Sequence, residues 1–336
     1  MSDEPAGDGG INRRAFLTGA GAIAAAGLGA KAWRDASERG RRAEVFVAKA
    51  EDYGSDLVRP IADGLRAVGL SERWAAGKSF LLKPNLVEPT RQAPQINTHP
   101  AVVRAAAEVF RRWGAREVIV GEGQGHCRDT EYVLEQSGLG RVLAEERLDF
   151  IDLNHDDVWT VPNTLGFTKM PRLTLPSALK RADVIVSIPK MKTHHWAGVT
   201  LSMKNLFGVM PGVAYGWPKN VLHHAGIVGS ILDINAAVCP HLAIVDGIVG
   251  MEGDGPIMGT PRHSGVIVLG ANLPAVDASC ARLMGINPWK VEYLASASGL
   301  LGPVSARHIA QRGEPLASLT QTYRLIDHPA VAALRA

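Results

Sequence analysis

From Arg41 onward, short and nearly continuous apolar runs alternate with longer helix-patterned stretches, and that alternation most constrains what this chain can become. The runs fall at 44–48, 79–83, 117–121, 150–153, 183–188, 242–246 and 265–269. Between them, 56–68, 101–113, 130–146, 227–238, 275–283 and 289–298 carry helical patterning. A strand that is apolar along its whole length is covered on both faces. The expected fold class is therefore α/β, a mostly parallel doubly wound sheet with helices on both faces. Residues 42–336 read as a single α/β domain, with the tail from about residue 302 as an appendage.

Composition narrows the function classes. Hydrophobic residues make up 46% and charged residues 21% of the 336, ordinary proportions for a globular protein. A formal charge of +3 is too weak to imply nucleic acid or an anionic membrane surface as a partner. Cys127, Cys239 and Cys280 are isolated, so no C-x-x-C pair suggests a zinc knuckle or an Fe–S cluster.

The N-terminus differs in kind. Asn12-Arg13-Arg14-Ala15-Phe16-Leu17-Thr18 opens an uncharged Gly/Ala stretch that runs to Ala30. It resembles a twin-arginine signal over residues 1–36, which implies the twin-arginine export machinery as a partner. The expected location is periplasmic or extracytoplasmic, with an N-terminal tether as an alternative. No later stretch approaches the roughly 18 consecutive apolar residues of a membrane span.

Chemistry concentrates after the 183–188 run. Lys190, Lys192, His194, His195, Lys204, His223 and His224 crowd into one Pro/Gly-punctuated stretch. Open α/β sheets place ligands in such loops, outside the carboxyl ends of their strands. Three more polar segments follow predicted strands: Lys83-Pro84-Asn85, the Glu122–Asp129 segment containing His126, and Asp246 through Asp254. In a parallel sheet all four share one edge, so Lys83, His126, His194 and Asp246 should lie near one another. Imidazoles titrate near neutrality and ligate Ni, Zn, Fe and Cu. Asp246, Glu252 and Asp254 are candidate hard ligands, or a solvated turn. Lys204 can pair with a carboxylate or attach to a carbonyl-bearing group if burial lowers its pKa. The spacing of Gly121-Glu122-Gly123-Gln124-Gly125 is not that of a dinucleotide fingerprint, and Glu122 would repel a pyrophosphate.

Several of these segments together resemble domain-of-unknown-function family 362. They are Lys83-Pro84-Asn85, Val120-Gly121-Glu122, Asp183 through His194, and Met203-Lys204-Asn205-Leu206-Phe207-Gly208. The resemblance spans about residues 78–283. Many members add a ferredoxin-like cysteine cluster that this chain lacks.

A more distant resemblance is to the N-terminal domain of lactate racemases. It rests on the order His194, Ala197-Gly198, Lys204, Pro211-Gly212 and His223 or His224, and on Gly125-His126, Arg128 and Thr130-Glu131 upstream. Leu201-Ser202 stands where those enzymes have Gly-Gly, and Cys127 splits the His-Arg pair. The resemblance implies a nickel-pincer nicotinate cofactor tethered by Lys204, with nickel held by His223 or His224. It also implies His126 and His194 as an acid/base pair.

The expected site thus comprises His126, His194, Lys83 and Lys192 for catalysis and Lys204, Asn205 and Gly208 for a cofactor. His223, His224, His195 and Asp246 are its metal candidates. The expected function is that of an exported metal- or organometal-dependent enzyme, of isomerase or oxidoreductase type, acting on a small carboxylate-bearing substrate. Two alternatives stand beside it: a periplasmic binding protein for a small anion, and a redox partner protein.

Overall fold

In the computed structural model, which describes residue 38 and residues 40–335, ten strands form one sheet. Residues 1–36, which carry the twin-arginine reading, lie outside the described residues. The strands of this sheet are β1 (Ala43–Lys49), β2 (Ser79–Pro84), β3 (Glu117–Glu122), β4 (Asp149–Asp152), β7 (Val184–Ile188), β8 (Lys190–His194), β9 (Gly198–Thr200), β10 (Leu242–Glu252), β11 (Thr260–Gly270) and β12 (Ile309–Gly313). β5 (Val158–Pro162) and β6 (Arg172–Pro176) form a separate antiparallel pair. The principal order is β12-β1-β11-β10-β7-β2-β3-β4, with β8 paired to β10 and β9 to β8. The pairings β4-β3-β2-β7-β10 and β10-β8 are parallel, whereas β11 and β9 run antiparallel to their neighbours.

Helices cover both faces, as the apolar runs require. Labelled in chain order, the helices used below are α1 (Val58–Ala67), α2 (Pro100–Arg112), α3 (Thr130–Ser137), α4 (Leu139–Glu146), α5 (Ser202–Asn205), α6 (Asn220–His224), α7 (Ile227–Val238) and α8 (Leu273–Leu283). Phe80, Leu82, Val184, Val186, Leu242 and Ile244 pack in one apolar cluster with Ile61 and Leu65 of α1 and Phe110 of α2. Their alternates Leu81, Ile185, Ala243 and Val245 belong to the opposite cluster, with Ile231 of α7 and Val276 of α8. This is the two-residue period of a strand read against two cores.

Several expectations need correction. The 130–146 helix is two helices, broken at Gly138, whose φ of +79° is a backbone state that L side chains rarely adopt. The stretch beyond 302 is no appendage: β12 pairs in parallel with β1, and Tyr323 is fully buried. Part of the segment expected to be loop after β7 is strand, because β8 continues the sheet alongside β10.

The chain passes from β2 through α2 to β3 on one side, while β7 lies against β2 on the other side. That reversal is a topological switch point, where the carboxyl ends of neighbouring strands part and leave a crevice.

Candidate functional site

The crevice at the ends of β2, β3 and β8 holds a cavity of about 400 Å³. Lys83, Glu122, His126, Lys192, His194, His195, Lys204, Asn205, Gly208, Lys219 and His223 all line it. Asp246 and His224 do not. Of the four residues expected at one place, Lys83, His126 and His194 come together, and Asp246 does not join them.

Lys83 is fully saturated. Its Nζ donates to Glu122 Oε2 (2.6 Å), Asn205 Oδ1 (2.8 Å) and Pro84 O (2.9 Å). Burial lowers its pKa, and the Glu122 charge opposes that shift. Asn205 in turn donates to Lys83 O and Ser187 Oγ, both at 3.1 Å. Glu122 also accepts from the backbone N–H groups of Leu86 (3.1 Å) and Gly123 (2.9 Å). Gly208 lies against this pair so closely that a Cβ there would stand 1.9 Å from Glu122 Oε1 and 2.4 Å from Lys83 Nζ. Lys83, Glu122, Asn205 and Gly208 therefore form the rigid floor that holds the site.

The other lysines are not neutralised in this way. Lys192 Nζ is fully buried and, among the described residues, donates only to the carbonyls of Ile96 (3.0 Å) and Pro256 (3.1 Å). Burial, then the charges of Lys190, Lys204 and Lys83, hold its pKa well below the ordinary lysine value. Lys204 has no hydrogen-bond acceptor among the described residues, and its Nζ sits 3.9 Å from the Phe207 ring centroid. Burial and the neighbouring Lys83 lower it to about 7, so a large share of the amine is unprotonated near neutrality. Lys219, which sequence reasoning missed, donates to Asn154 Oδ1 and Met210 O, and burial lowers it to about 7. Nothing in the local sequence marks Lys219, because only its left-handed backbone (φ +67°) turns it inward.

The helix carrying Lys204 is positioned from outside the cavity. Asp277 of α8 accepts the N–H groups of Ser202 (2.8 Å) and Met203 (3.0 Å), as well as the Ser202 hydroxyl and the Tyr293 hydroxyl (3.2 Å). These bonds satisfy free amides at the start of α5 and fix the turn that carries Lys204 and Asn205.

The imidazoles differ. His194 Nδ1 accepts the N–H groups of Trp196 (3.0 Å) and Ala197 (3.3 Å), which places the proton of the neutral ring on Nε2. Burial, and then Lys204, hold its pKa well below 6.5. His223 is the reverse: its Nδ1 lies 3.0 Å from Lys219 O and donates to it, so the neutral ring keeps a bare Nε2 lone pair. Burial and Lys204 lower its pKa too. His126 Nε2 stands 3.9 Å from Glu88 Oε1 at the more open side. His195 Nδ1 is 3.4 Å from Asp254 Oδ1.

The expected metal set is not assembled. Asp246 is fully buried and saturated by Lys190 Nζ (2.5 Å), the Tyr53 hydroxyl (3.0 Å) and the N–H groups of His99 (2.9 Å) and Ile248 (3.3 Å). Its oxygens have no lone pair left for a cation. His224 is exposed, and Glu252 is committed to Arg324 (2.7 Å). Among the described residues no three His, Cys, Asp or Glu side chains form a metal-holding group. The residues do fit a group attached through Lys204 and touched by His223, because one offers a free amine and the other a bare Nε2.

Three further groups point to a ligand. Asn85 Oδ1, Gln124 Oε1 and Thr200 Oγ1 are buried, lack a hydrogen-bond partner and belong to residues lining this cavity. Unpaired buried polar atoms are rare in native folds. Here three of them surround one space.

The thylakoid-associated protein sll1697 of Synechocystis is 27% identical over 262 residues, covering 76% of this chain and 79% of that protein. The lactate racemase apoprotein of Thermoanaerobacterium thermosaccharolyticum aligns with a TM-score of 0.41 at 12% identity, covering 68% of this chain and 55% of that one. A Thermotoga maritima protein aligns with a TM-score of 0.33 at 12% identity, covering 64% and 55%. The chain thus spans little more than half the length of either solved structure. Among the described residues no helix is long and apolar enough to cross a membrane. The family model described as a domain of unknown function, DUF362, matches residues 80–282, more than half of the chain, and the protein belongs to that family.

Proposed function

We propose that the cavity binds a small hydroxy-carboxylate and acts on the carbon that bears its hydroxyl, as an isomerase or oxidoreductase. The observation that carries this reading is the set of unneutralised groups around one space. Among the described residues, Lys192 and Lys204 lack a carboxylate partner, and Asn85, Gln124 and Thr200 have unpaired oxygens. A carboxylate would satisfy the lysines, and a hydroxyl would donate to one of the orphan acceptors. His194 would donate from Nε2, and His126 is the second acid/base group. Imidazole alone contributes only about 10²–10⁴-fold to removing a proton next to a carboxylate, so an electron or hydride acceptor is required. Lys204 and His223 are the residues that would hold a nickel-pincer nicotinate cofactor, which supplies that acceptor when bound. The sheet runs unbroken from β12 to β4, which supports one unit over residues 42–336 and counts against a two-lobed solute-binding protein.

The test is calorimetric binding of lactate and malate against their amides. Carboxylates are expected to bind and amides not, with binding lost in Lys192→Met and weakened in Lys204→Met. Equal behaviour of acids and amides would overturn the reading. Intact-mass measurement of protein from its native host separately reports whether Lys204 carries a group. We also propose twin-arginine export, for which Arg13→Lys with Arg14→Lys should leave folded protein in the cytoplasm. Normal export of that variant would refute it.

A further inference from the structure

We infer that the acid bound in this cavity carries an apolar chain or aromatic group beyond its carboxylate, seated at the mouth on Trp196, Ile257 and Met258. The inference rests on the carboxylate reading above and adds the substrate class. Trp196 (64% exposed) and Met258 (77% exposed) are the two most exposed large hydrophobic side chains among the described residues, and both line the same cavity. Scattered apolar residues on a surface need no explanation, but two that rim one charged cavity form a continuous wall with it.

That wall is built rather than frayed. Trp196 sits in the turn between β8 and β9, its ring edge-on to His195 at 4.9 Å and 5.7 Å from the His223 ring. Met258 and Ile257 sit in the connection between β10 and β11. The two segments are tied together by the His195 N–H donating to Gly255 O (3.1 Å) and the Thr193 hydroxyl donating to Gly253 O (2.8 Å).

Burial supplies the depth order. Lys83 and Lys192 are fully buried, while Trp196 and Met258 face solvent, so charge lies at the bottom and apolar surface at the opening. A cavity of about 400 Å³ falls in the range of sites that enclose drug-sized ligands. Methionine is the side chain most able to adapt to a variable chain.

The experiment compares lactate, hydroxyoctanoate and phenyllactate by calorimetry on the full chain and on a Trp196→Ser, Met258→Ser double variant. In the wild type the two larger acids are expected to bind about tenfold or more tighter than lactate, from the apolar area they bury. In the double variant that ratio should collapse to about threefold or less. Equal affinity of long and short acids in the wild type overturns this inference and leaves the carboxylate reading standing. A ratio unchanged in the double variant does the same. If no acid binds better than its amide, both fall.

Discussion

Lys190 and Lys192 lie two residues apart on β8, and both are fully buried, yet they occupy opposite chemical situations. Lys190 has a carboxylate, Asp246, at 2.5 Å and the Tyr53 hydroxyl at 2.9 Å. Lys192 has two carbonyls and, among the described residues, no counter-charge. A buried charge is tolerable when paired and hydrogen-bonded and expensive when it is not. The first arrangement closes a structural cluster. The second leaves an amine whose counter-charge, on the function proposed above, a bound carboxylate would supply. Burial of a lysine is thus no guide to its role; what decides is whether the fold also buries its partner.

Removing each lysine in turn tests the contrast most directly. Lys190→Met strands Asp246 without its cation and should destabilise the fold by about 3–5 kcal/mol, read by denaturant unfolding. Lys192→Met strands no opposite charge, only the Ile96 and Pro256 carbonyls, and should cost clearly less stability, while abolishing carboxylate binding. If the two variants lose stability equally, the distinction between them fails.

A second measurement sharpens it through pH. Lys204 is lowered to about 7 by burial and Lys83, against an ordinary value of 10.5. Between these values the unfolded chain holds a proton that the folded one has released, so stability should rise as pH climbs from about 7 towards 10.5. The penalty is fully present below about 7. Carboxylate affinity has the opposite sign, because the ammonium is the form that attracts the anion. It should fall by up to about tenfold per pH unit from about 7 upward, and Lys204→Met should flatten that part of the profile. A wild-type affinity unchanged from pH 6 to 9 would remove Lys204 from anion binding.

The smallest expected effect separates the adjacent histidines of α6. His224 is exposed and outside the cavity, so His224→Ala should change stability by less than about 0.5 kcal/mol and leave binding intact. His223→Ala should impair binding or retention of any group on Lys204. A stronger effect at His224 than at His223 would reverse the assignment of the pair.

Much of the frame was legible before any coordinates, because apolar runs and helical stretches are local properties. The seven strand runs each became a strand, and the polar residues following β2, β3 and β7 came to one cavity. A parallel sheet sends every such loop to the same edge, so that convergence follows from strand direction. Glu122 shows the limit. Beside its glycines it read as a residue unsuited to pyrophosphate and as part of a family segment, whereas the pairing of β2 with β3 brings it to Lys83.

The alternation that makes a two-faced sheet, and the clustering of lysine and histidine after its strands, are written along the chain. Which of those groups are satisfied depends on how the strands pack. The parallel register of β8 with β10 sets Lys190 opposite Asp246, and this removes Asp246 from the site. The left-handed turn at Lys219 brings in a lysine that no pattern marked. The bonds from Trp196 and Ala197 fix the tautomer of His194. Each of these is a contact between a side chain and a group set by backbone geometry or by a strand distant in sequence. Such contacts leave no period or motif in the chain, because they exist only once strand order and register are in place.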